Sequence, residues 1–222
     1  MAEPEYSLIV FDWDGTLMDS TPAIIAAIQG ACRDLGLPVP PDEAAGWVIG
    51  LGLADAMQTV VPELDASHWP RFSERYRFHY LTRDPDLRLF PGVEDMLHRL
   101  SSAGARLAVA TGKSRAGLER SFAATGLKSA FDGSRCADET HSKPHPAMLL
   151  ELMDELMVPP QATVMIGDTS HDLNMATSAR VHGVGVSYGA HAAQELLDCQ
   201  PKILVHDVDE LARWLTPRVR QD

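Results

Sequence analysis

Four places in this 222-residue chain carry side chains suited to one kind of chemistry. Asp12 and Asp14 stand two residues apart and run into Gly15-Thr16. Thr111-Gly112 ends an apolar run, Lys143 precedes a proline, and Asp168 and Asp172 follow Gly167. Carboxylates gathered in one place repel one another, and burying them is costly unless they are paired or bind a metal. Oxygen-only ligation by a few protein groups, with room left for substrate oxygens, suits magnesium. The Thr111 hydroxyl, the Lys143 ammonium and backbone N–H groups at helix N-termini make an anion site. Metal, anion site and free carboxylate together form a phosphoryl-transfer arrangement, in which a carboxylate is a competent nucleophile that forms an aspartyl-phosphate. Taken alone, residues 12–15 read equally as a strand end followed by an Asp-Gly turn.

For the four places to meet, the chain must bring them to one edge. Residues 8–11 are an apolar run of the kind found in buried parallel strands, and the run ends on Asp12. Residues 106–110 form a second strand that ends on Thr111, and 163–166 another that ends before Asp168. A weaker, short strand falls at 131–136, a further strand at 182–186 and a last short one at 203–205. Helices alternate with these strands at 93–103, 115–124, from Lys143-Pro144 to about 157, at 173–180 and at 208–215. Such alternation predicts an α/β fold, a parallel sheet with helices on both faces. In a parallel sheet the carboxyl ends of the strands share one edge, where ligands bind.

Residues 17–88 break that rhythm, since no strand is evident there. Helices are expected at 23–35 (with Ser20-Thr21-Pro22 as the start), 42–47, 54–61 and 66–81, with a glycine-containing loop at 48–53. This block reads as a helical cap inserted over the strand ends. Residues 1–16 and 89–222 form the core domain, and hinges are expected near 17–20 and 87–92. Trp69, Phe72, Tyr76 and Tyr80 recur at helical spacing and read as a helix-packing face rather than a ligand platform.

The net charge of −12, from 19 basic and 31 acidic residues, argues against a nucleic-acid or anionic-membrane surface. Cys32, Cys136 and Cys199 show no paired spacing, which fits a reduced, cytoplasmic setting. No signal peptide or membrane span is expected. His141 and His145 are interrupted by Pro144 as a zinc pair, and His171 reads as a surface or capping residue.

Residues 11–17, FDWDGTL, resemble the first motif of the haloacid dehalogenase superfamily. Thr111-Gly112, Lys143-Pro144 and Gly167-Asp168 with Asp172 resemble the second, third and fourth, in order. The helical insert after the first motif is similar to the cap of the phosphoglycolate phosphatase-like branch. The resemblance implies a Rossmann-like core and a role for each residue. Asp12 is the nucleophile, and Asp14 the general acid and then base, whose backbone carbonyl also coordinates magnesium. Thr111, Gly112 and Lys143 hold the phosphoryl group. Asp168 is a direct metal ligand, and Asp172 a ligand through water or a partner of Lys143. Asp12 and Asp14 complete the metal set.

Asp14 argues against a dehalogenase, whose leaving group needs no proton. Ile24 stands where mutase members of the superfamily carry a histidine, and no lysine lies between Ser20 and Asp86 to form a Schiff base. A magnesium-dependent phosphatase for a small, phosphoglycolate-like monoester is therefore expected, with a pyrophosphatase or phosphomutase as the alternative. The partner is a small phosphorylated metabolite, and the chain a monomer or homodimer. Substrate choice is expected to lie with the cap loop around Gly50. Lys113 and Arg115 are candidate cations for a substrate carboxylate, though solvated or helix-positioning roles suit them better.

Overall fold

The computed structural model describes residues 5–62 and 64–220. A six-stranded, all-parallel sheet runs through the molecule. Its strands are β1 (Leu8–Phe11), β2 (Arg106–Thr111), β3 (Gly133–Cys136), β4 (Thr163–Gly167), β5 (His182–Val186) and β6 (Leu204–Val205), in the order β3-β2-β1-β4-β5-β6. The chain winds outward from β1 in one direction and from β4 in the other. The strand order thus reverses between β1 and β4, the switch point at which open α/β sheets bind ligands. Phe11 is in register with both Val109 and Ile166, so the ends of β1, β2 and β4 lie side by side.

Period-two alternation gives the sheet two apolar faces. Ile9, Phe11, Val109, Val164 and Ile166 point to one face. There they pack with α5 (Val93–Ser102), α6 (Arg115–Thr125) and α10 (Val208–Leu215). Leu8, Val10, Ala108, Ala110 and Met165 point to the other, against α7 (Ala147–Glu155) and α8 (Ser170–Ser178). Helix ends follow local signals. Ser114 caps α6 by accepting the Gly117 N–H, and Gly126 closes that helix in the left-handed conformation.

A third apolar cluster is built by four helices, α1 (Thr21–Leu35), α2 (Asp42–Trp47), α3 (Leu53–Val60) and α4 (Trp69–Leu81). The two strands of chain that join this block to the sheet run side by side. Met18 bridges to Leu89, Asp19 N–H donates to Arg88 O at 3.0 Å, and Phe90 N–H to Leu17 O at 3.0 Å.

Some boundaries differ from those read in the sequence. The Lys143-Pro144 helix begins only at Ala147, because Ser142–His145 form a turn. Helix α8 starts at Ser170 rather than 173, because Thr169 and Asp172 form a capping box there. The segment 66–68 is a 3-10 turn before α4. Helix α9 (Ala193–Asp198) was not expected; it is short, and no hydroxyl or proline marks its start. Among the described residues, no helix is long and apolar enough to cross a membrane.

Candidate active site

Asp12 follows β1, Thr111 ends β2 and Asp168 follows β4, so three adjacent strands deliver their polar groups to one point. Lys143 reaches the same point from the turn before α7. Its Nζ lies 2.5 Å from Asp12 Oδ1 and 2.7 Å from Asp172 Oδ1, with both partners buried. The second Asp172 oxygen accepts the Thr169 N–H at 3.1 Å and the Thr169 hydroxyl at 2.7 Å. Asp172 thus starts helix α8 and holds Lys143 at the same time.

Asp168 is fixed on two sides. Thr16 Oγ1 donates to one oxygen at 2.9 Å, and Ala190 N–H to the other at 2.7 Å. Gly15 packs against this carboxylate with φ +83°, and a Cβ there would overlap it. Only glycine gives both the turn and the close approach.

Asp12, Asp168 and Asp172 each offer an oxygen within 4.8 Å of the others, and all three are buried. One ammonium, that of Lys143, faces this group. Burial pushes the Asp12 carboxyl well up, and Asp172 and Asp168 add to it against the pull of Lys143. Burial and Asp172 push Asp168 up to about 7. Burial pulls Lys143 down, but Asp12 and Asp172 raise it more, so its ammonium is held. Asp12 Oδ2 is buried with no hydrogen-bond partner. An orphaned carboxylate oxygen beside two further carboxylates fits a hard divalent cation, which would relieve the repulsion.

Asp14 stands apart from this group. Ser20 Oγ donates to its Oδ1 at 2.6 Å, and Lys113 Nζ lies 3.0 Å from the same oxygen. Lys113 also donates to the Tyr80 hydroxyl at 3.0 Å. Burial opposes its charge, but Asp14 and Tyr80 hold the pKa above the ordinary lysine range. Lys113 is therefore not the solvated residue its position suggested. Ser20, expected only as a helix cap, makes no side-chain cap bond and serves Asp14 instead. Arg115 does position a helix, with Glu139 at 2.7 Å and Ser134 at 2.9 Å.

The helical block closes over these groups. A Cβ on Gly112 would lie 2.5 Å from Leu51 O and 2.6 Å from Gly50 O, so the loop at 48–52 rests on the end of β2. Gly50 itself has φ +92° and faces Thr169. His171 is buried at the seam rather than at the surface. Its Nε2 donates to the Trp47 carbonyl at 2.8 Å, and His191 Nε2 donates to the same carbonyl at 2.9 Å. The Trp47 indole N–H donates to Glu195 at 2.7 Å. No motif marked Trp47, His191, Ser20 or Tyr80. Lys113 alone stood next to one. The aromatic residues on α4 divide their roles: Phe72 packs inward, while Tyr76 and Tyr80 also line a cavity between the block and the sheet.

The family model for haloacid dehalogenase-like hydrolases matches residues 9–186. The chain is 36 % identical over 210 residues to the probable phosphatase IndB of Dickeya dadantii, covering 92 % of this chain and 91 % of that protein. It is 31 % identical over 211 residues to a phosphoglycolate phosphatase of Aliivibrio fischeri, covering 90 % and 92 %. The crystal structure of a predicted phosphoglycolate phosphatase from Haemophilus somnus superposes with a TM-score of 0.84 at 25 % identity, covering 96 % of this chain and 99 % of that one. Fold, strand-end chemistry and relatives agree: the chain belongs to the haloacid dehalogenase-like hydrolase family, in its phosphoglycolate phosphatase-like branch, and is a phosphatase.

Proposed function

We propose that the protein hydrolyses a small phosphate monoester through a phosphorylated Asp12, with magnesium bound by Asp12, Asp168 and the Asp14 carbonyl. Asp172 would reach the ion through water or serve Lys143 alone. The observation that carries this reading is the orphaned Asp12 Oδ2, buried beside Asp168 and Asp172 with Lys143 on its other oxygen. Such an arrangement leaves one carboxylate oxygen positioned by an ammonium and one to be used.

When bound, the ion supplies positive charge that offsets the repulsion between an anionic nucleophile and an anionic phosphate. Asp12 attacks phosphorus, the ester P–O bond breaks, and Asp14 gives its proton to the departing alcohol oxygen. Asp14 then takes a proton from water, the water oxygen attacks phosphorus, and the bond to Asp12 breaks. Ser20 and Lys113 both hold Asp14 Oδ1, so Oδ2 is the oxygen that carries the proton in this scheme. Lys143, the Thr111 hydroxyl and Gly112 take the phosphoryl oxygens, which gain charge in the transition state. The helical block acts as a cap that excludes water until the alcohol has left.

Phosphate release from p-nitrophenyl phosphate, with and without magnesium, tests this function. Turnover should require the ion and be lost in Asp12→Asn. Full activity in that variant would sink the mechanism, and faster hydrolysis of pyrophosphate than of monoesters would move the protein to another reaction.

A further inference from the structure

A cavity of about 410 Å³ lies between the helical block and the carboxyl edge of the sheet, and Asp14 is on its wall. Asp12 and Lys143 lie outside its lining, and both are buried. The cavity is therefore on the leaving-group side of the proposed reaction, where the alcohol half of the ester must sit.

Its lining is mixed, with an apolar part to which Ile24 and Ile28 of α1, Ile49 and Leu51 of the loop, and Tyr76 and Tyr80 of α4 contribute, and a polar part that includes Ser73, Ser114 and Ser142. The two tyrosine rings lie nearly parallel, with centroids 6.1 Å apart and 21° between their planes, and the Lys113 ammonium sits over the Tyr80 ring at 4.8 Å. The cation nearest Asp14 is already engaged, since Lys113 holds Asp14 at 3.0 Å and the Tyr80 hydroxyl at 3.0 Å. Arg77 and Arg120, which also border the cavity, are exposed. A glycolate body would fill little of this space, and with Lys113 engaged the cations left for its carboxylate are the exposed Arg77 and Arg120. Burying an ion without a partner is unfavourable, whereas burying a ring against the apolar part of the lining is favourable.

We propose that the site selects an apolar, ring-sized alcohol as its leaving group in preference to glycolate, with Tyr76 and the α1 isoleucines as the specificity-determining surface. This inference rests on the phosphatase reading above. It sets the protein apart from those relatives whose names specify phosphoglycolate.

The test compares kcat/KM for benzyl phosphate, ethyl phosphate and phosphoglycolate with magnesium present, using p-nitrophenyl phosphate as the reference for turnover. The three test esters all release primary alcohols, so the comparison reads the pocket rather than leaving-group chemistry. Benzyl phosphate should exceed both others by about tenfold or more, as expected for burying a ring. Tyr76→Ala should reduce the benzyl-to-ethyl ratio by about fivefold, and Tyr76→Phe should retain it. Because each ratio is taken within one protein, partial unfolding of a variant does not change it. Equal or faster hydrolysis of phosphoglycolate overturns the inference and leaves the phosphatase reading standing, as does an unchanged ratio in Tyr76→Ala. Failure to turn over p-nitrophenyl phosphate as well as the three esters overturns both.

Discussion

The ammonium of Lys113 lies 3.0 Å from Asp14 Oδ1, and the side chain that makes this contact is only 9 % exposed. The same ammonium bonds the Tyr80 hydroxyl on α4. One residue just after β2 therefore ties the proposed acid–base carboxylate to the helical block above it. The carboxylate gains a fixed orientation, and the block gains a polar anchor in addition to those made by Trp47 with His171, His191 and Glu195.

Replacing Lys113 by Met should lower kcat for p-nitrophenyl phosphate by about 10- to 100-fold, the usual loss for a buried hydrogen bond to a charged group. Lys113→Arg should recover part of it, since charge is kept but the reach differs. Steady-state kinetics on both variants checks this, and wild-type kcat in Lys113→Met would rule out the role.

Magnesium binding should be linked to protons. Asp168 is pushed up to about 7, from a usual 3.8, by burial and by Asp172. A raised folded-state value favours folding below the unfolded value, and that contribution is lost as pH rises through the folded one. The metal-free protein is thus penalised increasingly between about pH 4 and 7, and the ion, which binds the ionised carboxylate, offsets that penalty. The rise in Tm caused by magnesium should be larger at pH 8 than at pH 6, and apparent affinity should fall about tenfold per unit below pH 7 for each proton displaced. Calorimetric titration at the two pH values measures it. Equal affinities would show that Asp168 is ionised without the metal.

Gly112 is a sensitive point for the contact between loop and sheet. A methyl group there would stand 2.5 Å from Leu51 O and 2.6 Å from Gly50 O, both backbone atoms. Gly112→Ala should push the loop outward and lower kcat/KM by about tenfold or more, as small misplacements at a reacting centre do. Its Tm should change by only a few degrees, because the core below is untouched. Kinetics and thermal unfolding on one preparation separate these effects.

The Trp47 carbonyl accepts from both His171 and His191, and the Trp47 ring stacks on His191 at 5.9 Å. These contacts join α2 to the segments around α8 and α9. His191→Ala should loosen the seam. Amide hydrogen exchange at residues 48–52 should then speed up, while exchange in β1 and β4 stays slow. Unchanged exchange in the loop would show that the seam does not hold the block down.

The parts of this protein governed by local rules are legible in its sequence. Apolar runs at 8–11, 106–110 and 163–166 specify strands, and prolines, hydroxyl residues and glycines punctuate most of the helices. From alternation follows a parallel sheet, and from a parallel sheet a common edge for Asp12, Thr111 and Asp168. The structure brings these together with Lys143 and Asp172, residues that were singled out by chemical type and position.

The sequence did not show how the helical block meets that edge. Lys113 finds Tyr80 across 33 residues, and His171 finds the Trp47 carbonyl across 124. No periodicity encodes such pairs, because they depend on the angle at which two independently packed bodies meet. Ser20 looked like a helix cap, Lys113 a solvated cation and His171 a surface group. Packing gave each of them another role, and it left Tyr76 a packing residue that also lines the cavity. The sequence by itself determined which groups could act on a phosphate, because strand ends and side-chain chemistry are local properties. Only the tertiary structure decided which oxygen of Asp14 is held and which residues line the cavity beside it, because both are set where the helical block closes on the sheet.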